Sequence, residues 1–477
     1  IGSADFGHQN AGQRDGSAER RNVSVTGSTS VTVAFATMWV PLAPGARSLN
    51  SFPKWVFSRG RMQYWKKNLY VLWGTQFLAM VGVNLIVPFL PFYIRQLGIT
   101  NDQELARWSG LIFAAPFITA FVATPVWGTL GDRYGRKLMV VRAIFGLGLS
   151  QILIGMAGDV YQLLAFRLLQ GLLSGYIAAS LALVSISTPT EKIGYALGLL
   201  QTATAGGMVL GPAIGGILAD FMSYHDIFFI TAGLCCLGGI VIIKLVREEV
   251  HSAPTGPQPT VLENIRFVAR NRKLRTIGIL ILLSQAGALM IEPIFALFIE
   301  QFKTSTRYLS TLVGIIFSIA GIFMVISAPW WGKRNDRIGY RKNLAIAASG
   351  TGIAYAAHMI VPGLISLGFL RAGLGFFRGG ILHSLFSLTS HHVPPGRRGG
   401  IIGIASSLAI LGNSLGPLAG GFIAERFGIV SVFSVNSVIF LLIAATVWKS
   451  DIDREFPAPS APAPSPSPIA RDADGPT

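Results

Sequence analysis

Trp127-Gly128-Thr-Leu-Gly-Asp132-Arg133-Tyr-Gly135-Arg136-Lys137 is written a second time, with changes, as Trp331-Gly332-Lys-Arg-Asn-Asp336-Arg337-Ile-Gly339-Tyr-Arg341. Each copy is a charged loop between two long apolar runs, and each follows a proline, Pro125 or Pro329, by the same interval. Charge and glycine repeated at matched positions mean that one membrane unit occurs twice in the chain.

The repeat reaches well beyond the loops. Arg167-Leu-Leu-Gln170-Gly171 answers Arg371-Ala-Gly-Leu-Gly375, and Gly211-Pro212-Ala-Ile-Gly215-Gly216 answers Gly416-Pro417-Leu-Ala-Gly420-Gly421. Pro88 likewise answers Pro293, and all these pairs are offset by 204 or 205 residues. Composition agrees: 51% of residues are apolar and 13% charged, with a mean hydropathy of +0.54. A soluble chain of this length is more polar. Apolar runs of the roughly 20 residues needed to cross a bilayer recur with polar breaks. Twelve are expected, centred near residues 82, 117, 148, 172, 206, 236, 287, 319, 352, 377, 412 and 439. The fold class that follows is an all-α membrane protein with twelve transmembrane helices in two pseudo-symmetric six-helix bundles.

The expected bundles are residues 62–246 and 274–449, joined by a connection over 247–273 in which Asn264-Ile-Arg-Phe-Val-Ala-Arg reads as a short amphipathic surface helix. Residues 1–61 read as a disordered or spurious extension, with Met62 as a natural start. A signal-peptide core over residues 31–43 is the weaker alternative, since the first run already anchors the chain. Residues 450–477 become a Pro-rich disordered tail.

The net charge of +17 raises the question of nucleic acid, and its placement answers it. Lys66, Lys67, Arg133, Arg136, Lys137, Arg266, Arg270, Lys333, Arg337 and Arg341 all fall in one alternating set of loops, whereas the opposite set holds Arg95, Arg107, Lys303, Arg307 and Arg426. That asymmetry is the positive-inside pattern, so both termini and both repeated loops are expected in the cytoplasm and nucleic acid is not a partner. Cys235 and Cys236, the only cysteines, are neighbours in one apolar run and suit packing better than a disulfide or a metal. No metal and no cofactor is expected.

Gly128-Thr-Leu-Gly-Asp132-Arg133-Tyr-Gly135-Arg136-Lys137 resembles the loop signature of the major facilitator superfamily, and the likeness covers roughly residues 64–449. Gly206-Gly207-Met-Val-Leu-Gly211-Pro212-Ala-Ile-Gly215-Gly216 is similar to the fifth-helix motif of that superfamily's drug exporters. Trp65-Lys-Lys-Asn-Leu with Pro88-Phe-Leu-Pro91-Phe-Tyr-Ile-Arg-Gln-Leu-Gly98 resembles the MdtG branch of its twelve-helix drug:proton antiporters. The resemblance implies a secondary transporter in a bacterial inner membrane, working by alternating access; twelve helices suffice for a complete pathway, so a monomer is the default. Its partners would be the lipid bilayer, a small-molecule substrate and protons. It also implies a gating role for Asp132 and a proton-transfer role for Arg167.

The residues themselves nominate sites. Asp132 is placed to cap or pair with a neighbouring helix end, with Arg133, Arg136 and Lys137 supplying opposite charge and Asp336 and Arg337 repeating the arrangement; anchoring of topology is the plainer alternative. Gly207, Gly211 and Gly215 line one helix face and admit a close neighbour, with Pro212 and Gly216 beside them. Charge within a span costs about 2.5–3.5 kcal/mol at the centre, so Arg167, Glu292, Arg371 and Arg378 stand out, with His358 and His383 as neutral candidates. Gln170 shares a face with Arg167. The first run holds Asn84 and no acid, a departure from many proton antiporters that leaves Glu292, beside Pro293, as the one deep carboxylate. Glu292 is therefore the leading candidate for proton or cationic-substrate coupling; the alternative is a static pair with Arg371 or Arg378.

Trp73, Phe77, Phe89, Phe92, Tyr93, Phe295, Phe298, Phe376 and Phe377 are candidates to line an aromatic cavity for amphipathic substrates, or else pack in the core. No catalytic Ser/His/acid cluster, metal spacing or phosphate loop is present, so an enzyme is not expected. Two other readings stay open: a transporter of a specific metabolite such as a siderophore or sugar, and a non-transporting membrane sensor.

Overall fold

A computed structural model describes residues 64–248, 260–302 and 308–450. The readings of residues 1–61 and of the Pro-rich tail lie outside the described residues. Among those described, eleven helices are long and apolar enough to cross a membrane. The first six are Tyr64–Gln96, Asp102–Tyr134, Arg136–Gly155, Val160–Ser187, Thr190–Phe221 and Tyr224–Leu245. The seventh, eighth, tenth, eleventh and twelfth expected runs become Arg272–Glu300, Leu309–Ile338, Leu364–His391, Arg398–Phe427 and Ile429–Lys449. The ninth run is the 19-residue helix Tyr340–His358. Arg341, Lys342 and Asn343 at its start and its many Ala and Gly residues make it less apolar than the rest. It packs against the tenth and twelfth spans, which bury Leu344, Ala347, Ala348 and Tyr355 completely.

The two sets of six spans pack by the same scheme. The first span lies against the fifth and sixth, the second against the fourth, and the third against the sixth; the seventh lies against the eleventh and twelfth, the eighth against the tenth, and the ninth against the twelfth. The halves meet where the fifth span crosses the eighth and the second crosses the eleventh.

Every third span is broken, at matched places. Pro88 and Pro293 lie in short 3-10 turns, Val87–Phe89 and Glu292–Ile294, that divide the first and seventh spans. Proline removes a backbone donor and clashes with the preceding turn, which accounts for the interruption. The fourth span breaks at Ser174 and Gly175, where Gly175 has φ +107°. The tenth breaks between Arg378 and Leu382, across Gly379-Gly380-Ile381. In the connection, the surface helix Val261–Arg270 forms with a capping box: Thr260 accepts from the Glu263 N–H and the Glu263 carboxylate accepts from the Thr260 N–H.

Candidate functional site

The repeated loops are tight helix junctions. Gly135 at φ +101° and Gly339 at φ +85° end one span and begin the next, in a conformation costly for any side chain, which explains why both copies keep glycine there. Asp132 is exposed and pairs with Arg136 at 2.8 Å within its own loop. The cap expected of Asp132 is supplied instead by Glu248, just past the sixth span, whose carboxylate accepts the backbone N–H of Arg136 at 2.7 Å and of Lys137 at 3.0 Å. In the second copy Tyr340 stands where Arg136 does in the first, Asp336 and Arg337 are exposed, and neither forms an ion pair among the described residues.

The tryptophans of both copies share a role that the sequence hid. The Trp127 indole N–H donates to the Leu172 carbonyl, and that of Trp331 to the Phe376 carbonyl, both at 2.7 Å. Each carbonyl lies next to the break in the fourth or tenth span, so the loops are tied to the broken helices. Arg142, passed over in the sequence, stacks 3.5 Å from the Trp127 ring and donates to the carbonyls of Leu173 and Ser174 at the same break.

Glycine sets how closely the halves approach. A Cβ on Gly207 would strike Met80 and Val81, on Gly211 Asn84, and on Gly215 Leu85, so the fifth span lies directly on the first, as its spacing predicts. Gly412, Gly416 and Gly420 do the same for the eleventh span against the seventh. Gly216, adjacent to that stripe, faces Ser310 and Thr311 of the other half, while Gly110 faces Pro417 and Gly421. These cross-half approaches lie at the end away from the repeated loops. Nearer the loops, Gly128, Gly194, Gly198, Gly332, Gly399 and Gly403 have open space where a Cβ would be. The halves are thus in contact at the far end, whereas these glycines near the loop end meet no neighbour.

Charge closes the sealed end. Arg95 grips Glu300 with two hydrogen bonds of 2.8 and 2.9 Å, and Arg107 pairs with Glu425 at 2.9 Å. The Asp220 carboxylate accepts the N–H groups of Ser310 and Thr311, at 3.1 and 2.8 Å, at the start of the eighth span. Arg95 and Glu300 occupy equivalent positions of the repeat, as do Asp220 and Glu425, each pair 205 residues apart. A pocket of about 360 Å³ opens beside this closure, lined by Phe92, Arg95, Gln96, Tyr224, Glu300, Leu309 and Ser310.

Between the two ends lie the deep charges. Arg167 is buried and donates to Gln170 Oε1 at 3.2 Å. Glu292, on the 3-10 turn made by Pro293, accepts from Arg378 at 3.3 Å with both groups largely enclosed. Arg371 does not reach that carboxylate within ion-pair distance; its guanidinium lies 4.2 Å from the Phe295 ring and donates to the Phe317 carbonyl. Of the two partners considered for Glu292, the structure takes Arg378. His358 is fully buried with Nδ1 on the Ala354 carbonyl, whereas His383 is exposed.

The aromatic candidates divide. Trp73 and Phe77 are partly exposed and stack in parallel with centroids 5.6 Å apart, and Trp73 also donates to Thr202 at 3.0 Å. Asn84 is partly exposed and donates to its own helix, at the Met80 carbonyl. Phe376 is partly exposed and packs on Trp330, Trp331 and Phe377. Phe89, Tyr93 and Phe295 have no exposed surface and are core residues here, not lining ones. Tyr93 donates to the Ile154 carbonyl and packs on Tyr224, His225 and Phe228 within its own half. Phe92 and Phe298 are also buried. Among the described residues no group of His, Cys, Asp and Glu could hold a metal, and both cysteines are free thiols.

The sequence profile of the Major Facilitator Superfamily matches residues 72–367 and 277–472. The multidrug resistance protein MdtG of Proteus mirabilis (strain HI4320) is 34% identical over 395 residues, covering 82% of this chain and 97% of its own length. The MdtG of Escherichia coli (strain K12 / DH10B) is 33% identical over 393 residues, covering 82% and 96%. Among solved structures, a bacterial homologue of the human lysosomal transporter Spinster, inward-facing and occupied, superposes with a TM-score of 0.69 at 14% identity, over 82% of this chain and 97% of that one. The human organic anion transporter MFSD10 superposes with a TM-score of 0.61 at 20% identity, over 80% and 99%. A duplicated bundle of spans, broken at every third helix and sealed by glycine and charge at one end, is thus matched in both sequence and fold: the chain is an integral membrane transporter, not an enzyme, and belongs to the major facilitator superfamily as an MdtG-like member.

Proposed function

We propose that this transporter exports drugs or other amphipathic small molecules in exchange for protons, by alternating access, from the cytoplasm across a bacterial inner membrane. The observation that carries the reading is Glu292, an enclosed carboxylate on a broken span whose only ion-pair partner among the described residues is Arg378. Protonation of Glu292 releases Arg378, and re-pairing expels the proton, so the pair exchanges one state for the other without a metal or a nucleotide. The MdtG name of the relatives supports drug export, and the basic loops support cytoplasmic termini and a cavity open to the cytoplasm. A single chain holds both halves, so the working unit is taken as a monomer.

Charge refines the substrate class. Arg167, Arg371 and Arg378 oppose the single carboxylate of Glu292 in the buried middle, which favours anionic or neutral amphipaths over lipophilic cations. The test is uncoupler-sensitive efflux, from cells expressing the chain, of a fluorescent amphipathic anion and a fluorescent lipophilic cation, with and without Glu292→Gln. The reading expects efflux of the anion that the substitution abolishes at equal membrane abundance. Efflux of neither probe, with a single metabolite transported instead, would favour a specific-metabolite transporter; efflux untouched by Glu292→Gln would remove the coupling role.

A further inference from the structure

The surface helix Val261–Arg270 divides into three faces. Asn264, Phe267 and Val268 face the protein, where Phe267 and Val268 pack on Leu274, Val393 and Ile401. Val261, Leu262 and Ile265 form a second face, apolar yet 73%, 65% and 48% exposed. Glu263, Arg266 and Arg270 form the third. At 100° per residue the apolar exposed face lies between the other two, the arrangement of a helix lying in a bilayer surface with its charged side toward water. Helical spacing sets Arg272 and Arg275 on the same side of the seventh span as Ile279, which is 53% exposed.

Four arginines, Arg266, Arg270, Arg272 and Arg275, therefore gather where apolar side chains end and water begins. None of the four belongs to an ion pair among the described residues. Glu263, the one acid of this helix, is engaged with the Thr260 N–H in the capping box. Guanidinium forks match phosphate oxygens in pairs, and a cluster of such cations at a cytoplasmic surface is complementary to acidic headgroups. We propose that this helix and the start of the seventh span form a docking site for anionic phospholipids of the leaflet on the loop side. The site is tied to the moving parts: Arg397 lies over the Phe267 ring, and Gly400 of the eleventh span leaves room for Asn264. On the alternating-access reading proposed above, headgroup binding is thereby coupled to the loop end of the eleventh span, which approaches the other half when that end closes.

The full chain is reconstituted in vesicles of equal phosphatidylcholine and phosphatidylglycerol and extracted gently, and the retained phospholipid is identified by native mass spectrometry. The proposal expects retained lipid enriched in phosphatidylglycerol. It also expects Arg266→Gln/Arg270→Gln/Arg272→Gln/Arg275→Gln to lower that enrichment about tenfold, while the corresponding four Lys substitutions, which keep the charge but lose the fork, lower it less. Where the four-Gln protein does not accumulate, Arg266→Gln/Arg270→Gln, confined to exposed positions, carries the test with a several-fold loss. Unchanged enrichment in the Gln variants overturns the proposal. So does an equal loss in Lys66→Gln/Lys67→Gln, because the effect would then belong to the net charge of that face and not to this site.

Discussion

At the scale of single residues, the account turns on Glu292 and on the acids at helix ends. With Glu292→Gln the Arg378 partner keeps a hydrogen-bond acceptor but no proton can be carried. Gradient-driven accumulation in proteoliposomes is expected to fall by at least about tenfold while substrate–substrate exchange persists, separating coupling from folding. Loss of both activities together would assign Glu292 a structural role. Glu248→Gln removes the charged acceptor at the start of the third span and is expected to cost about 0.5–2 kcal/mol, read as a lower melting temperature of the purified protein. Glu292 was legible in the sequence because a carboxylate within an apolar run has no ordinary explanation. Asp220, Glu248, Glu300 and Glu425 were not, because an acid at the end of a run looks like any polar boundary until its partner, 90 to 318 residues away, is seen beside it. Arg142 escaped notice because it lies close enough to a basic loop to read as part of it, although it holds the break in the fourth span.

At the scale of elements, the breaks and the glycine faces decide what can move. Spans one, four, seven and ten are each interrupted, and at the breaks of spans four and ten backbone groups find other partners: Trp127 and Trp331 take the carbonyls of Leu172 and Phe376. Trp331→Phe keeps an aromatic ring, smaller than the indole, and loses the donor. It is expected to lower turnover several-fold with little change in membrane abundance, measured as initial transport rate per protein; an unchanged rate would reduce this hydrogen bond to packing. Glycine spacing made the fifth-span stripe predictable, since residues four apart share a face whatever the partner. The partner was not predictable, and neither was the different direction of Gly216, toward the eighth span. The aromatic residues show the limit more sharply. Phe89 and Phe376 carry the same side chain on broken spans, yet one is enclosed and the other partly exposed, because exposure depends on which neighbour covers each face and not on composition.

At the scale of the whole molecule, the two halves are joined at one end by pseudo-symmetric charges, while the glycines near the repeated loops meet no neighbour. The duplication was legible in the 204–205-residue offset, the number of crossings in the apolar runs, and the class of protein in composition together with both. The state was not, because one sequence serves both the closed and the open arrangement of each end. If Arg95–Glu300 holds the far end shut, Glu300→Arg is expected to open it, and Arg95→Glu/Glu300→Arg to close it again. The reporter is Ala106→Cys, buried at the closure, in a chain with Cys235 and Cys236 replaced by alanine. Labelling by a membrane-impermeant maleimide should accelerate several-fold in the single reversal and return toward the original rate in the exchange. Exchange of substrate for protons is read in proteoliposomes containing a trapped pH-sensitive dye. Addition of an amphipathic anion that the protein transports should drive proton movement opposite in direction to the substrate, and that movement should be absent with Glu292→Gln. Substrate movement with no proton flux, or with protons travelling alongside the substrate, would contradict the account.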